Sequence, residues 1–343
     1  MDSPLLARAG AVPAPGADAG VAGHYGDPYA EQRALARAAG LVDRSNRGIV
    51  RITGADRLSW MHSLTTQDLE HLEPGTAAQA LVLSPQGHIE HHLTLVDDGT
   101  ALWAHAEPGT VGPLLDFLQS MRFLLRVDPV DVTGDFAVLT LMGPARPQAA
   151  PEAAVAAMAD SFGMDVVVAR DRIGDTVAAL ERDGAAVAGL EAYEALRIAA
   201  HRPRFGLDTD HRTLPHEVGW IDTAVHLNKG CYRGQETVAR VHNLGHPPRR
   251  LILLHLDGSE DRLPVHGDPV TRDDTTVGFV GSAARHFELG PVGLGLIKRT
   301  VPVDAALRAG GVPAAQEVVV PPDAGANVQI TLKRRGALAR PGN

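Results

Sequence analysis

The chain has 343 residues, 44% hydrophobic and 21% charged, with a formal net charge of −9. That length suits two or three packed modules rather than one core. The acidic balance gives no bulk electrostatic footprint for DNA or RNA, and no apolar run is long enough to span a bilayer. One cysteine, Cys231, rules out an internal disulfide and a multi-cysteine zinc or iron–sulfur site within one chain. With no basic patch ahead of an apolar segment at the N-terminus, the expected location is a reducing compartment, the cytoplasm.

Residues 1–24 are rich in Ala, Gly and Pro and are predicted to form a disordered tail. Residues 28–39 have helical character, and Gly40 stands where it would stop them. A strand is expected at 48–53, a helix at 56–62, and a hairpin of strands 76–84 and 89–96 around Pro85-Gln86-Gly87. A strand at 101–106, a helix at 111–121 and a single strand at 130–142 follow. Residues 147–159 are alanine-rich and read as a helix or a loose surface segment. Helices are expected at 171–183 and 190–200, where apolar residues recur three and four apart. Strands interleaved with single helices define an α+β architecture. Beyond Pro247-Pro248 only short β-type runs remain, separated by Gly, Pro and Asp, the texture of a small β-barrel. The implied organisation is a tail (1–24), an α+β region (25–245), a barrel (246–335) and a second tail (336–343).

The densest chemical cluster is Lys229-Gly230-Cys231-Tyr232-Arg233-Gly234-Gln235-Glu236. A cysteine just before a helix start, with Lys229 and Arg233 beside it, lies in a positive field that favours the thiolate. The reading as a reactive thiol stabilised by these two cations stands beside a plainer one, a small buried hydrophobe. Arg197, Arg202, Arg204, Asp208, Asp210, Arg212 and Glu217 crowd the stretch upstream. They suit either an anionic ligand or surface ion pairs. His88, His91 and His92 form an H-x-x-H-H run on a predicted strand, with His88 and His92 on one face and His91 on the other. That geometry does not favour a shared metal, and no metal ligands are assigned.

The run from Lys229 to Arg240 (K-G-C-Y-x-G-Q-E-T-V-A-R) resembles the signature of YgfZ proteins, relatives of the glycine-cleavage T-protein, an aminomethyltransferase. The resemblance extends to Asp43-Arg44-Ser45, Ile52-Thr53-Gly54-Ala55-Asp56, Thr66-Gln67-Asp68 and Ser84-Pro85-Gln86-Gly87. Downstream it continues through Arg197, Gly206, Asp208, Pro215, Glu217, Val277-Gly278 and Ser282. It implies a T-protein-like folate-binding domain of intertwined ferredoxin-like subdomains, followed by a small C-terminal β-barrel. It also implies tetrahydrofolate or a related pterin as ligand. The role it implies is support of iron–sulfur cluster assembly or repair in client enzymes, tRNA-modifying ones among them, with those enzymes or assembly factors as partners.

Under this resemblance Cys231 is the reactive thiol, with Lys229 and Arg233 as its stabilisers. Arg47, Tyr193, Arg197, Gln67 and Tyr232 are the candidate ligand contacts. Two positions depart from the aminomethyltransferase pattern. The catalytic aspartate falls on His91, with Glu90 adjacent, and the glutamate that would hold the pterin ring falls on Ala199. An imidazole cannot supply a carboxylate's charge. Two further readings remain: a folate-dependent transferase using Glu90 or His91, and a non-catalytic scaffold with a structural cysteine.

Overall fold

The computed structural model describes residues 2–326. Residues 2–24, expected as a tail, instead carry two short 3-10 turns and a hairpin of β1 (Val12–Pro13) and β2 (Ala22–His24). The few larger side chains there each find a partner. Leu5 packs with Leu41, Leu139 and Leu141, and Val21 packs with Leu35 and Leu190. The Ser3 hydroxyl donates to Asp43, and Arg8 pairs with Glu181 at 2.5 Å. Composition alone does not register such specific anchoring.

Helix α1 (Pro28–Arg37) begins where Asp27 caps the amides of Tyr29 and Ala30 and Pro28 occupies the first turn. The chain continues through β3 (Gly40–Asp43), β4 (Gly48–Thr53), α2 (Arg57–Leu64), β5 (Ala77–Leu83), β6 (Ile89–Asp97), β7 (Ala101–Ala106) and α3 (Val111–Ser120). Then come β8 (Asp128–Asp131), β9 (Phe136–Met142), β10 (Ala154–Ala159), β11 (Met164–Ala169), α4 (Ile173–Arg182), β12 (Ala186–Ala188), α5 (Leu190–Ala199) and α6 (Gln235–Leu244).

Two five-stranded sheets result, ordered β5-β6-β7-β4-β8 and β10-β11-β9-β3-β12. Successive strands β3 and β4 enter different sheets, and so do β8 and β9, so the two halves are intertwined. The single strand predicted over 130–142 is therefore two, broken at a turn where Asp135 N–H bonds to the Val132 carbonyl. Residues 154–159, read as helix or loose segment, form a strand. Only Ala156 and Met158 of β10 are buried, an alternation of period two that overrides alanine's helix propensity. The sheets meet through Ile49, Val96, Trp103, Val138, Met158 and Val167.

The last module is a closed barrel of β13 (Arg249–Leu256), β14 (Pro269–Arg272), β15 (Thr275–His286), β16 (Gly290–Lys298), β17 (Leu307–Ala309) and β18 (Val312–Val318). Its strand order is β13-β16-β15-β14-β17-β18, closed by β13 against β18. Residues 327–335 of the predicted barrel segment and the predicted tail 336–343 lie outside the described residues. No helix among the described residues is long and apolar enough to cross a membrane.

Two close approaches fix the packing, the first between the α+β region and the barrel and the second within the α+β region. Gly281 leaves room for Asp208, whose Oδ1 would lie 2.2 Å from a Cβ at that position, and the Ser282 hydroxyl donates to the same oxygen at 2.6 Å. Gly234, the residue before α6, has φ +83° and sits where a Cβ would come within 2.6 Å of the Ser84 carbonyl oxygen. Gly234→Ala therefore meets both a backbone penalty and a backbone clash, and should lower unfolding free energy by roughly 2 kcal/mol or more. Gly112→Ala in α3, with open space around it, should be neutral or stabilise by up to about 1 kcal/mol. Urea denaturation of both variants checks the contrast.

Candidate functional site: an arginine-walled cavity

The two sheets, α5 and the loop after it enclose a cavity of about 420 Å³. Five arginines lie on its wall, Arg44, Arg47, Arg197, Arg202 and Arg204, against three carboxylates, Glu107, Asp160 and Asp165. Behind the wall stand Asp18, Glu194 and Asp208, each bonded to at least one of these arginines. Counting both layers, five guanidinium groups face six carboxylates, so the site carries little net charge.

The pairs are closely matched. Arg47 donates from Nε to His105 Nδ1 at 2.8 Å and from Nη1 to Glu107 at 2.7 Å. Arg204 reaches Glu107 at 2.8 Å, Asp18 at 2.9 Å and Glu194 at 2.9 Å. Arg197, almost wholly buried, binds Glu194 at 2.5 Å and Asp208 at 2.6 Å. Arg44 donates through Nη1 to Asp165 and Thr140, both at 3.2 Å, and its guanidinium lies 4.4 Å over the Tyr193 ring. Burial opposes ionisation of Glu107 and Glu194. The arginines beside them outweigh it, holding Glu107 well below the usual carboxylate range and Glu194 down at about 2. Charge-assisted bonds of this kind hold buried carboxylates ionised.

Aromatic rings and imidazoles are interleaved with these arginines. His92 stacks on Trp220 with ring centroids 4.2 Å apart and its Nε2 meets Gln79 Oε1 at 3.2 Å. Phe162 meets Tyr193 edge-on at 5.7 Å and carries Arg202 4.8 Å over its face. His105 Nε2 stands 2.9 Å from Asp165 Oδ2, off the line of a good hydrogen bond. Burial pushes His92 down to about 3 and His105 to about 4, so both imidazoles are neutral near pH 7.

Among the sequence candidates, Arg47, Gln67, Tyr193 and Arg197 come together on this one wall. Tyr232 does not: it is buried in an apolar cluster with Leu83, Ile89 and Trp220, and the Lys229 ammonium lies 5.3 Å over its ring. Cys231 is exposed and is not part of the cavity wall. The two cations proposed as its stabilisers have other partners. Lys229 Nζ donates to the main-chain carbonyls of His62, Thr65 and Gln67, and Arg233 pairs with Glu90 at 2.9 Å while lying over Phe117.

The strand register separates the histidines as alternation implies. His92 lines the cavity; His91 points away, buried behind the strand 6.3 Å from Phe205 with no hydrogen-bond partner for its Nδ1. Alternation places Glu90 on the same strand face as His92, but its carboxylate is taken by Arg233. Arg44, His105, Glu107, Asp165 and Phe162 were not singled out from sequence. A signal existed for two of them, because His105 and Asp165 interrupt the otherwise apolar strands ALWAHA and MDVVVA. Among the described residues there is no group of three or more His, Cys, Asp or Glu side chains placed to hold a metal ion.

Residues 10–161 match the model of the GCVT N-terminal domain. The fold is that of the glycine-cleavage T-protein: the aminomethyltransferase from Bartonella henselae superimposes with a TM-score of 0.78 at 17% identity, over 93% of this chain and 96% of that one. Related sequences include an aminomethyltransferase of Methylococcus capsulatus, 29% identical over 68% of this chain and 71% of its own length. A chloroplastic protein of Arabidopsis thaliana named as a transferase is 25% identical over 76% of this chain, which spans just 65% of that relative. A mitochondrial homologue of the iron–sulfur cluster assembly factor IBA57 from Mycosarcoma maydis is 25% identical over 64% of this chain and 59% of its own length. The chain thus carries a GCVT-type domain and has aminomethyltransferase-like relatives.

Two outcomes follow from the charges. His91, His92, His105 and His216 are all held well below the ordinary value of 6.5 by burial. Above pH 6.5 they are neutral both folded and unfolded; below it the unfolded chain takes up protons that the folded chain refuses. Stability should therefore fall as pH drops from 6.5 toward 4, followed by thermal melts at stepped pH. Glu107→Gln leaves Arg47 and Arg204 short of a counter-charge and should cost about 3 kcal/mol in denaturant unfolding.

Proposed function

We propose that this chain is a YgfZ-type protein that binds tetrahydrofolate or a related pterin in the arginine-walled cavity and presents Cys231 to partners. Its role is to support iron–sulfur cluster assembly or repair in client enzymes, tRNA-modifying ones among them, within the cytoplasm. The observation that carries the reading is the pairing of a small-molecule cavity, walled by guanidinium groups and neutral rings, with an exposed thiol outside it. Its volume suits a cofactor-sized ligand. Arg44 commits Nη1 alone to protein acceptors, and Arg47 commits Nε and Nη1. Their remaining N–H groups suit the carboxylates of a folate glutamyl tail. Tyr193 and Phe162 offer faces and edges to a flat ring, and the Gln67 and Gln79 amides supply polar edges beside it.

The name of the Mycosarcoma relative gives further support to the iron–sulfur role. A folate-dependent transferase has less support. The strand position facing the cavity is His92, an imidazole kept neutral, and the nearby Glu90 carboxylate is bound by Arg233. Neither is placed as a free carboxylate beside a ligand nitrogen.

Isothermal calorimetry with tetrahydrofolate should give saturable binding, and Arg47→Met should weaken it by about ten-fold or more. Absence of binding to the wild-type protein removes the folate reading. In a deletion strain, Cys231→Ser should fail to restore iron–sulfur enzyme activities while binding tetrahydrofolate normally; full restoration would show the thiol has no role.

A further inference from the structure

The Lys229 ammonium is buried and surrounded by carbonyl oxygens. Two of them, those of His62 and Thr65, belong to the last turn and cap of α2, and the third is Gln67 O at 3.0 Å. The carbonyl end of a helix carries unsatisfied acceptors and the negative end of its dipole, a natural seat for a cation. Burial pulls the lysine down to about 8. The nearby Asp68 carboxylate acts against that shift, and only the charged form can donate to all three carbonyls at once.

Three further bonds run between the same two stretches of chain. The Thr66 hydroxyl donates to Ala224 O at 2.6 Å, and its Oγ1 accepts from Leu81 N–H at 2.9 Å, tying the contact to β5. His226 N–H donates to Thr66 O at 2.9 Å. Gln67 Nε2 reaches Gln79 O at 3.2 Å and Thr223 O at 3.5 Å. Gln67 and Thr223 are both wall residues of the cavity. Two residues beyond Lys229, on the same short loop, stands the exposed Cys231. Gln235 closes that loop from its other end, donating to the carbonyls of Lys229 and Gly230 at 3.4 Å.

We propose that Lys229 is a positioning residue, a clamp that couples the cavity wall at Gln67 and Thr223 to the loop bearing Cys231, so that occupancy of the cavity alters the reactivity of the thiol. The ligand arm of this inference rests on the folate reading above; the clamp itself does not. A ligand packed against Gln67 restrains residues 65–67. Through the Lys229 cage and the Thr66 bonds that restraint passes to 223–231. Lys229 therefore acts on Cys231 through the backbone of another segment, and not as its counter-ion.

Hydrogen exchange without ligand tests the clamp. Lys229→Met should lower amide protection at 65–67 and 226–231 together, leaving the barrel unchanged. Thr66→Val, nearly isosteric, should lower the same two stretches and serves if the lysine variant folds poorly. Unchanged protection at 65–67 in both variants would overturn the clamp. For the ligand arm, the alkylation rate of Cys231 by iodoacetamide should fall about five-fold or more when tetrahydrofolate saturates the wild-type protein. That response should vanish in Lys229→Met even where tetrahydrofolate still binds. Wild-type protein that binds tetrahydrofolate with no change in alkylation rate overturns the coupling. Wild-type protein that binds none overturns the folate reading, and the exchange measurement still decides the clamp.

Discussion

The Arg204 guanidinium is the interaction on which the rest of the site depends. One planar group receives Asp18 from the N-terminal hairpin, Glu107 from the end of β7 and Glu194 from α5. Three parts of the chain far apart in sequence are thereby set around one side of a cavity. Its worth lies in position more than in net stability, because desolvating so many charges offsets much of the Coulombic gain. Removing the guanidinium would leave three carboxylates crowded in a buried space.

A second hub, Asp208, fastens this arrangement to the barrel. One carboxylate oxygen accepts from Arg197 at 2.6 Å and from the Arg204 backbone N–H at 2.8 Å; the other accepts from Ser282 at 2.6 Å. The barrel is thus a buttress for the loop that supplies Arg202 and Arg204, and none of its described residues lines the cavity wall. The cavity also has a division of labour. Its acids are spent on holding arginines in place, while the neutral imidazoles and aromatic rings make up uncharged parts of the lining.

Much of the fold was legible because local pattern and tertiary environment agree. The strands at 48–53 and 101–106 have the bounds their sequences imply, and the change of texture after Pro248 marks the start of β13. The misreadings arise where distant partners decide. Residues 2–24 look featureless until Leu5, Val21 and Arg8 meet side chains more than a hundred residues away. The break between β8 and β9 is invisible as composition and exists because the two pieces pair in different sheets. In the site, alternation correctly separated His91 from His92 but could not say which face is inward; a shift of one residue exchanges them. The expectation for Lys229 and Arg233 shows a similar limit. Charge adjacent in sequence was read as charge adjacent in space, whereas both side chains turn toward other segments.

The hairpin of residues 12–24 has a consequence beyond covering the core. Through Asp18 it contributes one negative charge to a set of charges that otherwise balances at five against five. The hairpin therefore works as an electrostatic trim on the cavity. Any event that lifts it away would withdraw that charge, free an edge of Arg204 and leave the same cavity more attractive to anions. A segment that looks dispensable by composition thus sets the balance of charge around the cavity.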